Sequence, residues 1–123
     1  MKIERPGIIL FTEKYEQCVE FYKEIVGLPF LYDKDGLTCF DFGGAYLMIE
    51  SGYKVEAIRD ITSTQTIIRF NVKDVKNTAD VLISRGVHVE IHEFEWGIVG
   101  NFQDPDSNWC QLKDQTPNFV VTP

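Results

Sequence analysis

The chain shows the same pattern twice: a strand, a helix and three strands, followed by the same order again. A short apolar run at 7–12 precedes a segment of helical apolar spacing that ends at Gly27. About sixty residues later, the run 67–72 precedes a second such segment, which ends at Gly86. A duplicated module can close two half-sheets around one cavity, with equivalent positions of each half pointing inward. The sequence therefore predicts two βαβββ modules.

The first module has an apolar helical face and two hairpin turns. The face is formed by residues three or four apart, namely Tyr15, Cys18, Val19, Tyr22 and Ile25. Thr12 is the predicted N-cap, and Gly27 ends the helix. The turn dipeptides Asp35-Gly36 and Gly43-Gly44 accept positive φ. They separate three predicted strands, at 30–33, 37–42 and 45–50.

The second module follows a connection at 51–65 that carries turn-forming residues and no clear period. Asp74 leads its helix and Gly86 ends it. Its strands are predicted at 66–72, 87–92, 98–102 and 109–112. A length of 123 residues predicts a single domain, 1–123. We place module one at about 1–55 and module two at about 66–123.

The charge balance excludes two classes of partner. The formal net charge is −7, and no stretch of the chain clusters Lys and Arg. Nucleic-acid backbones and anionic membrane surfaces are bound by such clusters, so we expect neither partner. The chain also lacks a long apolar run, which predicts no membrane span and favours a cytoplasmic location.

The three cysteines do not form a recognisable ligand or redox motif. Cys18, Cys39 and Cys110 are widely spaced, and no CxxC pair occurs. Cys18 falls at a helical core spacing and the other two fall within predicted strands. We therefore expect small buried side chains in a reducing compartment.

The order and spacing of several short motifs identify a family resemblance. They are Phe21-Tyr22 before Ile25-Val26-Gly27-Leu28, the helix entry Val72-Lys73-Asp74, and Trp96-Gly97 followed by Phe102-Gln103-Asp104-Pro105-Asp106-Ser107-Asn108. In this combination the chain resembles the vicinal oxygen chelate superfamily, which includes glyoxalase I, extradiol dioxygenases, fosfomycin-resistance enzymes and bleomycin-resistance proteins. Ser107 stands where glycine is usual in that loop, and Ser can adopt the required backbone at some cost.

The resemblance implies an α+β fold in which two βαβββ modules form an open, curved, eight-stranded mixed sheet around a cavity. Members of the family usually pair into dimers, so a homodimer is expected. In its metalloenzymes, the metal ligands lie on the first and fourth strands of each module. His, Glu or Gln is needed there for a hard or borderline divalent ion.

The resemblance also assigns four positions to the metal ligands, and here they hold Gly7, Glu50, Ile67 and Gln111. Gly7 has no side chain and Ile67 has no donor atom. A catalytic metal is therefore not expected, and an ion held by Glu50 and Gln111 alone is the minor alternative. The two histidines, His88 and His92, lie off these positions. On one strand they would be about 13 Å apart, too far to share an ion, so we interpret them as edge or surface residues.

Strand alternation predicts what shares the inward face with these positions. The predicted ligand-binding residues are Phe11, Tyr46, Met48, Arg69, Trp96, Phe102, Trp109 and Gln111, with Glu50 as the candidate catalytic base. Such a mainly apolar, aromatic lining suits a planar or amphiphilic small molecule. Two interpretations of the charged residues stay open. Glu50 and Arg69 pair with each other, or Arg69 holds a ligand carboxylate or phosphate while Glu50 accepts a proton or hydrogen bond.

These residues favour a metal-free protein that binds a small organic molecule, similar to the bleomycin-resistance branch. The first alternative is a divalent-metal-dependent enzyme of the glyoxalase I, dioxygenase or thiol transferase type. The second is a metal-free enzyme that uses Glu50 as base. As an enzyme, the chain would resemble a lactoylglutathione lyase or a dioxygenase.

Overall fold

The computed structural model describes residues 1–52 and 60–114. Most of the connection predicted at 51–65 lies outside the described residues. The described strands are β1 Gly7–Thr12, β2 Phe30–Lys34, β3 Leu37–Phe42, β4 Ala45–Ser51, β5 Ile68–Asn71, β6 Glu90–Phe94, β7 Gly97–Gln103 and β8 Trp109–Lys113. The helices are α1 Tyr15–Glu20, which continues as a π-helical segment over Phe21–Val26, and α2 Val75–Ser84. All the predicted strands and helices are present in the predicted order.

The chain divides into two compact units. One contains the first module and the loop residues Asp104–Ser107, and the other contains the rest of the second module. Each unit is built on one four-stranded mixed sheet, with strand orders β1-β4-β3-β2 and β5-β8-β7-β6. In each sheet the first strand of the module runs parallel to the last one, and the remaining pairs are antiparallel.

The helix of the first module covers one face of its sheet. Thr12 on β1 contacts Cys18, with Oγ1 and Sγ 3.6 Å apart, and the Tyr15 hydroxyl lies 2.5 Å from Thr38 Oγ1 on β3. Phe40, Leu47 and Ile49 are fully buried in this unit. Gly27 ends the helical segment with φ of 82°, as the sequence predicted, because glycine tolerates the left-handed conformation.

The predicted N-cap of this helix is wrong by two residues. The helix begins at Tyr15, and Thr12 is instead the last residue of β1. Its buried hydroxyl accepts a hydrogen bond from the Lys14 backbone N–H at 2.9 Å, which turns the chain between strand and helix. A threonine before a helical pattern fits either role, and the extended pairing of β1 with β4 decides between them.

The helix of the second module begins where the sequence predicted. Asp74 is the N-cap, and its carboxylate accepts a hydrogen bond from the Asn77 N–H at 3.0 Å. The buried residues of this helix are Val75, Ala79 and Leu82. No helix among the described residues is long and apolar enough to cross a membrane.

The boundaries of β6 differ from the prediction of 87–92, because the strand runs over Glu90–Phe94. Phe94 pairs with Gly97, so residues 95 and 96 form the whole hairpin turn. Gly97 has a φ of 142°, which the tight turn requires. Glu95-Trp96 is not a typical turn dipeptide, and for this reason the sequence placed the strand too early. The strand at 66–72 is shorter than predicted, since only Ile68–Asn71 pairs with β8.

The loop between β7 and β8 is held within the first unit by a buried hydrogen bond. The Tyr22 hydroxyl donates to Asp104 Oδ2 at 2.7 Å, and the ring of Tyr22 is fully buried. Asp104 Oδ1 accepts from the Asp106 backbone N–H at 2.9 Å. Ser107 follows with φ of 65°, the left-handed conformation that the family loop predicts at this position. Asp104 is therefore bonded through both of its carboxylate oxygens.

The three cysteines are free and buried, which confirms the expectation of small core side chains. Burial, together with the nearby charge of Asp104, raises the pKa of Cys18 to about 11. Because a thiol reacts as its thiolate, Cys18 is protonated and unreactive at neutral pH.

We expect Tyr22→Phe to lower the free energy of unfolding by about 1–3 kcal/mol, because Asp104 Oδ2 loses a buried hydrogen bond. Urea denaturation would measure the change. Tyr32→Phe is the matched control, since it also removes a phenolic hydroxyl, but from a side chain that is 48% exposed. Equal effects of the two substitutions would contradict the structural role of the Tyr22–Asp104 bond.

We expect Ser107→Gly to stabilise the protein by about 0.5–1 kcal/mol, because glycine adopts the positive φ without the steric cost of a Cβ. Ser107→Ala keeps the Cβ and serves as the control. The prediction is wrong if the midpoint of thermal unfolding of the glycine variant does not exceed that of the alanine variant.

Candidate functional site

The predicted inward residues of the first module share one face of its sheet. Strand pairing places Gly7 opposite Tyr46, Ile9 opposite Met48 and Phe11 opposite Glu50. This face is the one turned away from Thr12 and Thr38, which contact α1, and we call it the open face of the first sheet. Two of its apolar side chains are well exposed, Ile9 at 44% and Phe11 at 55%.

The ring of Tyr46 lies over Gly7. A Cβ placed on Gly7 would overlap the Cζ and Cε atoms of that ring. Any side chain at position 7, including a metal-binding one, therefore requires Tyr46 to move. The glycine and the tyrosine form one packed unit at the first of the family's ligand positions.

The strand pairing corrects the assignment of Glu50 to the fourth-strand ligand position. In the second sheet Gln111 lies opposite Arg69, two residues after Ile67. In the first sheet the equivalent of Arg69 is Ile9, two residues after Gly7, and Ile9 lies opposite Met48. Met48 therefore corresponds to Gln111 in the register of the two sheets. A thioether at this place is a poor ligand for a hard divalent ion.

Glu50 lies one pleat repeat beyond Met48, opposite Phe11. Phe11 is four residues from Gly7 along β1, so Glu50 is about 13 Å further along the strand pair than the first ligand position. Strand alternation therefore predicted the correct face for Glu50, but Glu50 lies two residues beyond the ligand position that the sequence analysis assigned to it. Its role as a base stays a prediction.

A row of polar side chains crosses the second sheet through Arg69 on β5, Gln111 on β8 and Asn101 on β7. Arg69 Nε donates to Gln111 Oε1 at 2.9 Å, and Gln111 Nε2 donates to Asn101 Oδ1 at 2.9 Å. Gln111 is buried, with 7% of its surface exposed. Both ends of its amide are thus engaged by neighbouring side chains.

We call the face that carries this row the open face of the second sheet. Glu93 on β6 points to the other face, where its carboxylate pairs with Lys76 of α2 at 2.9 Å. Asn101 is a residue that the sequence analysis missed. The alternation of Val99, Asn101 and Gln103 along β7 would have found it, because Asn101 is in register with Gln111.

The residues at the family's ligand positions do not fit a divalent metal. Position 7 has no side chain, position 67 is an isoleucine, Met48 takes the position in the first sheet that Gln111 takes in the second, and the Gln111 oxygen already accepts from Arg69. The described part of the chain holds no group of three or more His, Cys, Asp or Glu side chains that could bind a metal ion. His88 precedes β6 and His92 lies on that edge strand, and both are exposed, as predicted.

The predicted aromatic residues occupy three different places in the second unit. Trp96 lies in the β6–β7 turn and is 54% exposed. Its ring stacks on Phe94 at 4.7 Å, with Lys113 Nζ 5.5 Å from its centre. Trp109 begins β8 and is half-buried. Phe102 is 2% exposed and stacks on Phe70 at 6.3 Å, on the face opposite to Gln111.

The structure therefore groups the predicted residues into two sets. Phe11, Tyr46, Met48 and Glu50 lie together in the first unit, and Arg69, Trp109 and Gln111 lie together in the second. Arg69 donates to Gln111, whereas Glu50 belongs to the other unit. The pairing of Glu50 with Arg69 stays a prediction.

Comparison with known proteins gives the same fold. YraH, an uncharacterized protein of Bacillus subtilis (strain 168), is 29% identical over 119 residues, which cover 85% of this chain and 93% of YraH. TnmS3, an antibiotic binding protein from Streptomyces sp. CB03234, superposes with a TM-score of 0.75 at 22% identity, covering 94% of this chain and 99% of TnmS3. A lactoylglutathione lyase from Agrobacterium tumefaciens superposes with a TM-score of 0.72 at 17% identity, covering 89% and 91%.

These likenesses confirm the predicted α+β fold of the glyoxalase/bleomycin-resistance type. The sequence profile of one superfamily matches residues 6–112, which is most of the chain. Both modules lie within that match, including the motifs around Phe21-Tyr22 and the loop that ends in Ser107 and Asn108. The chain belongs to the Glyoxalase/Bleomycin resistance protein/Dioxygenase superfamily.

Proposed function

We propose that this chain is a metal-free member of the superfamily that binds a small organic molecule. The observation that carries the proposal is the pair of contacts at the family's ligand positions. The Tyr46 ring fills the space beside Gly7, and the Gln111 oxygen accepts a hydrogen bond from Arg69. A divalent ion would have to displace both contacts and would find few oxygen or nitrogen donors.

The open face of the first sheet supports an apolar or aromatic ligand. Ile9 and Phe11 are 44% and 55% exposed, and they lie beside Tyr46 and Met48. Contiguous exposed apolar side chains on a sheet face mark a site of interaction more often than scattered ones do. A small number of polar groups beside such a surface orients a bound molecule. Glu50 is one of the polar side chains on this face, which it shares with Lys34 and Asp41.

The likeness to TnmS3, whose name describes an antibiotic binding protein, supports a binding function. The likeness to a lactoylglutathione lyase concerns the fold, since the identity is 17%. We therefore favour binding over catalysis and expect this chain to work as a homodimer, in keeping with its family resemblance, and in the cytoplasm, in keeping with its lack of a long apolar run. A metal-dependent reaction, or a reaction that uses Glu50 as base, is an outcome that the experiments below would reveal.

We expect no stoichiometric binding when Zn²⁺, Ni²⁺, Mn²⁺ or Fe²⁺ is titrated into the protein, because the donor set is incomplete. Isothermal titration calorimetry and native mass spectrometry of the same sample would measure it. One tightly bound ion per chain, lost in Glu50→Ala or Gln111→Ala, would overturn the proposal and favour a metalloenzyme. His92→Ala is the control for adventitious binding at an exposed imidazole.

We expect 8-anilinonaphthalene-1-sulfonate, an aromatic amphiphile with one sulfonate group, to bind the folded protein saturably, with its affinity reduced about tenfold in Phe11→Ala. The expected loss reflects the apolar area that the Phe11 ring offers to the probe. Probe fluorescence would measure the affinity, and near-ultraviolet circular dichroism would confirm that each variant is folded.

Val81→Ala is the matched control for this experiment. Val81 is 46% exposed on α2 and belongs to the other unit, so we expect its truncation to leave the affinity unchanged. Equal losses in the two variants would show non-specific adsorption and would contradict a site on this face.

A further inference from the structure

We propose that Arg69 is a cationic anchor that binds the carboxylate of an otherwise apolar ligand, at the place where metal-dependent relatives use a divalent ion. The inference rests on the proposed function and names the chemical class of its ligand. The residues at the family's metal-ligand positions do not suit a metal ion. The Gln111 oxygen instead accepts a hydrogen bond from the guanidinium of Arg69, so the side chain of Arg69 supplies a positive charge at this place.

The orientation of Arg69 is set by two hydrogen bonds in series. Asn101 Oδ1 accepts from Gln111 Nε2, which turns Gln111 Oε1 towards β5. That oxygen accepts from Arg69 Nε at 2.9 Å. Gln111 is buried, so solvent does not compete for its amide. Gln111 and Asn101 are therefore positioning residues, which hold the guanidinium in one direction before a ligand arrives.

The remaining edge of the guanidinium is suited to a carboxylate. Arg69 Nε is engaged, and its two Nη atoms donate to no residue within the described ranges 1–52 and 60–114. Arg69 is exposed, so a ligand can reach it. A guanidinium presents parallel N–H groups that match the two oxygens of a carboxylate.

The charge of Arg69 is not neutralised by its partner, because Gln111 is an uncharged amide. The contrast with Lys113, on the same face of β8, is direct. Lys113 Nζ lies 3.0 Å from Asp114 Oδ1, and its side chain is 8% exposed. Lys113 is thus a buried, paired cation, whereas Arg69 keeps its positive charge for an external anion. Among residues 1–52 and 60–114 Arg69 has no ion-pair partner, and a ligand carboxylate would supply one.

The neighbours of Arg69 point to an apolar body on the ligand. Trp109 shares its face of the sheet, two residues before Gln111 on β8, and Ile67, which directly precedes β5, is 36% exposed. The net charge of −7 disfavours a small free anion, which the protein as a whole repels. A carboxylate attached to an aromatic or aliphatic group gains contact with these side chains, which offsets that repulsion.

The test compares 1-naphthoate with 1-naphthamide, an uncharged compound of nearly the same shape, by calorimetric titration of the full chain. We expect naphthoate to bind about tenfold more tightly, which is the contribution of one charge-assisted interaction. The ratio should fall as the salt concentration rises, because Arg69 is exposed to screening ions. Inorganic phosphate, titrated alone, should bind more weakly than naphthoate.

Variants separate the roles of the residues. Arg69→Gln should abolish the preference for naphthoate over naphthamide, and Arg69→Lys should restore part of that preference, because the charge returns without the two parallel N–H groups of a guanidinium. Gln111→Met should lower the preference without removing the charge. Arg85→Gln is the control, since it removes an exposed arginine at the end of α2 with the same change in net charge. Near-ultraviolet circular dichroism checks the fold of each variant.

The outcomes distinguish this inference from the proposed function. Equal binding of the two naphthalene compounds, or a preference that survives Arg69→Gln, would overturn the carboxylate anchor and leave the binding function standing. Failure of both compounds to bind would overturn the carboxylate anchor, whereas loss of 8-anilinonaphthalene-1-sulfonate binding as well would overturn the proposed function. Phosphate binding as tight as naphthoate, lost in Arg69→Gln, would replace the proposed ligand class with small oxoanions.

Discussion

The parallel pairing of the first and last strands of each module is the constraint on which the rest of the structure depends. β1 pairs with β4, and β5 with β8, although a helix and two strands separate them in the chain. Parallel neighbours need a long crossover, and the helix supplies it while covering one sheet face. The register of these two ladders decides which side chains meet on the other face. Every residue that the sequence predicted to bind a ligand, except Trp96 and Phe102, lies on one of those four strands.

The two ladders carry opposite chemistry at equivalent positions. In the first sheet the relevant pairs are Gly7 with Tyr46 and Ile9 with Met48, so the ladder is apolar. In the second sheet Arg69 and Gln111 take the place of Ile9 and Met48, and a hydrogen-bonded polar row results. The two modules thus share one strand arrangement, but at these positions the first sheet carries apolar side chains and the second carries polar ones. Neither set of positions holds the donors that a divalent ion requires.

Much of the fold could be predicted from local patterns. Helical spacing, the glycines at 27, 36 and 86 and the Asp74 cap located the elements, because each acts through nearby backbone. The errors arose where a distant partner decides. Thr12 fits a cap or a strand end until its pairing with Ser51 is known. The start of β6 depends on how Phe94 meets Gly97 across a turn that carries no turn signal.

The sequence by itself determined the duplicated architecture, the faces on which residues fall and the lack of good ligands at positions 7 and 67. Alternation and the chemistry of single residues are sufficient for these. Only the tertiary structure decided that Met48 and Gln111 occupy equivalent positions of their two sheets, that Tyr46 covers Gly7, and that Asn101 orients Gln111 towards Arg69. The physical reason is that strand register is a relation between distant segments. A change of one pleat repeat keeps every residue on its face and still changes its partners.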